Sequence, residues 1–207
     1  MINAFRLSIP FILFLLLLSS ACTKRLPVNF SAPNIGVSST KLDAELKSLT
    51  VTIARPDEAI GEIRVAHLAH AYGEFQPYPL SLYTGLWKTA LEEAFNRMAI
   101  FKDDSPRKVS LAVKILKFET PTLTVGRTTH ASARYEIIDR SDGSIIFTTD
   151  ISTSASAAPT PGVIYFAGVD GVHESINRSV QNNIIQFLQV LETVDMDKPM
   201  FPSNKIN

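Results

Sequence analysis

The chain holds a single cysteine, Cys22, in 207 residues. That excludes an internal disulfide framework and any zinc site built on several thiolates. Charge of a prevailing sign is missing as well. Twenty basic residues face 20 acidic ones, and charged residues make up 19% of the chain. Nucleic-acid binders carry a basic stripe, and this balance leaves no reason to expect a nucleic-acid partner. No apolar run reaches the length of about 20 residues that crosses a bilayer. Catalytic signatures are lacking too: there is no Gly-x-Ser-x-Gly elbow, Walker loop or Gly-x-Gly-x-x-Gly fingerprint. An enzyme is not expected, and no cofactor or metal is implied. At 45% hydrophobic, the composition is too apolar for a disordered chain. Its length suits one folded domain with extensions.

What is present begins at residue 1. The opening MINAFRLSIPFILFLLLLSSAC has a positive residue, Arg6, an apolar stretch from Leu7 to Leu18, and the small residues Ser19, Ser20 and Ala21 before Cys22. These are the parts of a secretory signal. The segment Ser20-Ala21-Cys22 resembles the cleavage site of bacterial lipoproteins, in which small residues precede an acylated cysteine. Ser19 departs from that pattern, which usually has Leu there, and Ser19 with Ala21 also fits ordinary small-x-small cleavage. Both readings cut after Ala21; only the lipoprotein reading acylates Cys22. The sole cysteine falls at this cut, and a free thiol in an oxidising compartment would be a liability. Residues 1–21 are therefore read as a lipoprotein signal peptide and Cys22 as the lipid-attachment site. The resemblance implies three acyl chains. Each buried CH₂ contributes about 0.8 kcal/mol, so more than one chain gives stable anchoring. Thr23 stands where this family has Asp for inner-membrane retention, which implies outer-membrane sorting. Residues 1–21 hold Arg6 and no acid, so the mature chain has a formal charge of −1 and no polybasic membrane patch.

Residues 22–45 contain two prolines, a glycine and many Ser, Thr and Asn residues without a sustained period. They read as a flexible tether. A single α+β domain is expected over 46–192, and a C-terminal tail over 193–207. Leu46–Ala54 reads as a strand with Leu49, Val51 and Ile53 on one side, and Ile60–Leu68 as a weaker second one. Leu82, Leu86, Trp87, Ala90, Leu91, Ala94, Phe95 and Met98 recur at helical steps, with Ser81 as N-cap. Three strands follow, marked by Val109/Leu111/Val113/Ile115, Ala131/Ala133/Tyr135/Ile137 and Ile145/Phe147/Thr149/Ile151. Asp142-Gly143 is a hairpin signal between the last two. A final helix carries Val172, Ile176, Val180, Ile184, Phe187, Leu188 and Leu191 on one stripe, with Asp170 as its cap. The order β-(β)-α-β-β-β-α predicts an α+β two-layer sandwich: a mainly antiparallel sheet with two amphipathic helices on one face.

This order, with Trp87-x-x-Ala90-Leu91, Tyr135-x-Ile137-x-Asp139 and Asn183-Ile184, resembles small Gram-negative envelope lipoproteins. They include auxiliary lipoproteins of lipid-transporting ABC systems, the lipoprotein partner in lipopolysaccharide assembly, and activators of peptidoglycan synthases. The resemblance implies a lipid-anchored, non-catalytic accessory or adaptor on the outer membrane, facing the periplasm, with an envelope protein partner. The alternative is a binder of a small hydrophobic ligand, against which the bulky apolar set Trp87, Phe95, Phe147 and Phe187 argues.

Few residues stand out as site candidates. His67 and His70 would share a helix face, but their segment reads as strand, where an odd spacing separates them. His130 lies on the presumed wet face near Arg134 and Glu136, and His173 is isolated. Val163, Ile164, Tyr165 and Phe166 form an apolar run between Pro161-Gly162 and Gly168. They are candidates for contact with a partner or membrane; the other reading folds them over a helix to complete the core.

Overall fold

The fold comes from a computed structural model that describes residues 30–64, 80–120, 128–157 and 166–194, without the side chains of 64 and 166–172. The elements run β1 (Glu45–Ile53), β2 (Ile63–Arg64), α1 (Leu80–Met98), β3 (Lys108–Glu119), β4 (Thr128–Asp139), β5 (Ile145–Ser156) and α2 (Phe166–Leu191). The four long strands form one mixed sheet in the order β1-β3-β4-β5. It is open, and both helices pack on the same apolar face, giving a two-layer α+β sandwich.

Alternation positions the strands. Val109, Leu111, Val113 and Ile115 of β3 are buried, as are Ala131, Ala133, Tyr135 and Ile137 of β4. One pleat face is apolar and the other polar, as a half-solvated sheet requires. β3-β4 and β4-β5 are antiparallel ladders. β1 pairs parallel to β3, Leu49 opposite Leu111. The parallel pair makes the sheet mixed, because the chain crosses between these strands through α1 and re-enters in the same direction. β2 continues beside β3 at Phe118 and Glu119; of the run expected over Ile60–Leu68, residues 60–62 are not strand and 65–68 lie outside the described residues. Between β1 and β2, residues 54–62 leave the edge and return, with Ile60 N–H donating to the Leu116 carbonyl (3.2 Å).

The helical stripes are buried as patterned. Trp87, Ala90, Leu91 and Ala94 are fully buried, and Tyr83 joins them while Leu82 and Leu86 are half-buried. The helix begins at Leu80, so Ser81 is not its N-cap but an exposed residue of the first turn. α2 likewise begins at Phe166, which places Asp170 inside the helix and not at its cap. Asp142-Gly143 does not form a two-residue turn. The loop spans 140–144, with Gly143 at φ 77°. Asp142 takes the Ser144 N–H and hydroxyl (2.9 and 2.7 Å), so side-chain bonds widen the turn.

The largest departure concerns the expected tether. From Phe30 onward it is packed against the body: Phe30, Ala32, Leu42 and Ala44 are buried. These residues have no helical or strand period, yet their backbone is satisfied by the body. Ser38 N–H donates to the Met98 carbonyl and Leu42 N–H to that of Ile100, both at 2.8 Å. At the other terminus, Val194 still packs on the core.

Candidate functional site

The N-terminal segment decides how an anchor at Cys22 would meet the body. Phe30 enters a cluster of rings, with centroids 6.0 Å from Tyr83, 6.3 Å from Trp87 and 6.5 Å from Phe118. Such tilted and edge-on pairs each contribute about 0.5–1.5 kcal/mol beyond their burial. The segment is then held by both helices. Gln181 of α2 donates to the Ser31 carbonyl (3.2 Å). The Ser38 hydroxyl donates to Glu192 just beyond α2 (2.9 Å). Residues 30–44 thus strap the helical layer from the start of α1 to its end before entering β1.

Phe30 marks one end of the molecule. Tyr83 in the first turn of α1 and Phe118 next to the end of β3 lie there. β4 starts and β5 finishes at the same end, since Thr128 lies opposite Ser156. α2 enters there too, where the Ser175 and Thr129 hydroxyls share a bond of 2.8 Å. Cys22 lies eight residues before Phe30 and outside the described residues. Eight extended residues reach about 28 Å at most, so an anchor there keeps this end close to its membrane.

The open face of the sheet carries rows of hydroxyls and paired charges. Arg134 grips Asp150 with two bonds of 2.7 and 2.8 Å, which raises the guanidinium pKa. Lys114 reaches Glu58 at 3.0 Å. That bond first, and the Arg55 backbone N–H second, hold the Glu58 carboxyl below its usual range. Glu45 is lowered by Lys108 first and Lys47 second. Ser48 bonds Ser110, and Ser132 bonds Ser152, each at 2.8 Å. Arg134 therefore has a partner within the sheet. His130 is exposed on the same face, opposite Glu119 and separated from Arg134 by Ser132. Among the described residues no three His, Cys, Asp or Glu side chains gather as a metal site, and no helix is long and apolar enough to cross a membrane.

Beneath α2 runs a buried polar seam that the hydrophobic pattern concealed. Ser175, Ser179 and Asn183 recur every four residues and are fully buried beside the apolar stripe. The Tyr135 hydroxyl donates to Asn183 Oδ1 (2.7 Å), and Asn183 Nδ2 donates to the Ile151 carbonyl (2.9 Å). The Thr153 hydroxyl donates to the Ser179 carbonyl (2.9 Å). The Tyr135 ring stacks on Phe187 with centroids 3.9 Å apart. Burial pushes the Tyr135 phenol well above the usual tyrosine range. Tyr135 and Asn183 both belong to the fold pattern read from the sequence. Their bond has no local signature there. The Tyr135–Asn183 bond ties the helix to the sheet, since a shifted register would strand both of these buried groups.

The remaining sequence candidates lie elsewhere. Cys22, His67, His70, Val163, Ile164 and Tyr165 are outside the described residues, and Phe166 is described only as the first residue of α2. His173 is buried in α2.

No protein-family model and no curated protein matches the chain. Solved structures of similar fold were found. A DUF330-family protein from Xanthomonas campestris has 14% identity and a TM-score of 0.45, covering 81% of this chain and 97% of that one. A candidate lipoprotein from Caulobacter crescentus CB15 has 16% identity and a TM-score of 0.35, covering 53% and 80%. A homologue of neuraminyllactose-binding hemagglutinin from Helicobacter pylori has 15% identity and a TM-score of 0.38, covering 79% and 90%.

Proposed function

We propose that this protein is a lipid-anchored lipoprotein of the bacterial envelope, held on the outer membrane and facing the periplasm. It serves there as a non-catalytic adaptor in envelope biogenesis or lipid transport. One observation carries the reading: the sole cysteine stands directly after Ser20-Ala21, at the exit of a short apolar run. The packed segment 30–44 supports it. A chain seated eight residues beyond its anchor holds the body at the membrane surface with one end toward it. Such confinement raises the effective concentration for a membrane-bound partner without any new contact. Val163, Ile164, Tyr165 and Phe166 precede or open α2, which begins at that end, and are the expected contact with the partner or membrane.

The ligand-binding alternative needs a cavity between sheet and helices. Phe30, Tyr83, Trp87, Phe118, Phe95 and Phe187 fill the described interior with ring contacts, so this reading has less support. Crosslinking in intact envelopes followed by affinity capture tests the adaptor role. A reproducible envelope protein is expected with the wild type and is lost with Cys22→Ala. Capture of no envelope protein by the wild type would overturn it.

A further inference from the structure

The two edges of the sheet are unlike. At the β1 edge the ladder is broken by a bulge between Leu46 and Ser48. Lys47 is exposed there and ion-paired with Glu45, which also binds Lys108. Residues 54–62 add Arg55, Asp57 and Glu58 beyond it. Bulges, lysines and charges are the devices that stop one edge strand from pairing with another chain. β5 has a single bulge, at Ile146 near its start, and pairs regularly with β4 from Phe147 to Ser156. It is 12 residues long, about 40 Å at 3.3 Å per residue, with neither proline nor lysine. Among the described residues it pairs only with β4. Its one charge, Asp150, is neutralised in place by the two-pronged Arg134 contact.

The helix beside this edge carries one exposed ion pair, Glu174–Arg178, and no charge in the three turns beyond it. Arg178 of α2 reaches the Ser156 carbonyl (3.4 Å), which puts its side of the helix at the β5 edge. Steps of four, four and three residues continue that side through Asn182, Gln186 and Gln189. Residues 179–191 contain no charged residue at all. By contrast the exposed side of α1 carries Lys88, Glu92, Glu93 and Arg97. A surface helix normally shows a charged outer face, and charge depletion marks the core of a protein interface.

We propose that β5 is the interface of a two-fold homodimer. A second copy's β5 adds antiparallel to this edge, and the amide-bearing flanks of the two α2 helices lie side by side. Charge selects the occupant. In a two-fold contact residue i of one copy meets residue j of the other, and groups on the axis meet their own copies, so a net charge of one sign along the edge would repel itself. The charges of this edge and flank are paired within the chain, Asp150 with Arg134 and Glu174 with Arg178, so they present no net charge for a partner of opposite sign to complement. An axis perpendicular to the sheet keeps both helical layers on one side and makes one continuous sheet of the two copies.

The test uses the full chain in mild detergent, with the mass of its protein part measured by light scattering at tens of micromolar. The wild type is expected at the mass of two chains. Ser152→Lys, an exposed change, is expected at one chain with its circular dichroism intact. Thr50→Lys, on the far side of the open face, is expected to remain a dimer. Mixing Ser152→Lys with Ser152→Glu is expected to restore two chains, which a merely misfolded variant could not do. A single-chain wild type, or a Ser152→Lys protein that keeps the two-chain mass, would overturn the proposal.

Discussion

Tyr135 illustrates how one residue is committed to this fold. Its ring stacks on Phe187 and its hydroxyl bonds Asn183, 48 positions away. Tyr135→Phe keeps the ring and leaves Asn183 Oδ1 without its donor in a buried site. A stranded buried acceptor costs about 1–3 kcal/mol, readable by denaturant unfolding. A change within experimental error would mean the bond contributes nothing. The phenol also sets an alkaline limit. Its folded pKa is raised, so its contribution is complete below the ordinary tyrosine value of about 10 and declines as pH rises past it, by about 1.4 kcal/mol per pH unit. Melting temperature should fall more steeply above that pH in the wild type than in Tyr135→Phe. Parallel curves would contradict the buried phenol. The alternation of β4 already placed Tyr135 on the apolar face. Asn183 lay off the apolar stripe of α2 and entered the reading only with Ile184 in the family resemblance, since a bond across the fold leaves no periodic trace.

Single elements show where local pattern suffices and where it fails. Alternation and helical period located β3, β4, β5, α1 and α2, because one face of each is buried. The parallel pairing of β1 was not legible, since both kinds of ladder need the same alternation. Residues 30–44 were missed for a different reason. Phe30, Ala32, Leu42 and Ala44 follow no period, and their backbone bonds go to loops and helix ends. Phe30→Ala tests the strap: loss of a buried phenylalanine costs about 3 kcal/mol or more, while a free tether would register almost none. The end of α1 offers a change in the opposite direction. Ala99 has a φ of 51°, a left-handed conformation that costs an L-residue about 1 kcal/mol and glycine nothing. Ala99→Gly should raise the melting temperature by a few degrees, and a drop would refute the strain. The β4-β5 loop is expected to weaken in acid. The Ser141 hydroxyl and N–H, and then Arg107, lower the Asp139 pKa, and the Ser144 N–H lowers that of Asp142. Depressed carboxyls stabilise above the ordinary value of about 4, and that contribution is lost as pH falls below it. Asp139→Asn should therefore flatten the acid limb of stability.

At the scale of the whole molecule the arrangement is polar in two senses. One end gathers Phe30, the start of α1 and the end of β5, eight residues from Cys22; the other carries the 140–144 loop and the end of α1. Across the sheet, the β1 edge is charged and the β5 edge neutral. The proposed anchor rests on residue order alone, because a signal is read locally and needs no fold. The partner was not legible, since neither the open face nor the β5 edge carries a motif. The account rests most heavily on Cys22, and intact mass with membrane fractionation addresses it directly. Native protein is predicted to begin at Cys22, to carry the added mass of acyl chains and to sediment with the outer membrane, while Cys22→Ala loses both. A soluble periplasmic protein with an unmodified Cys22 would contradict it.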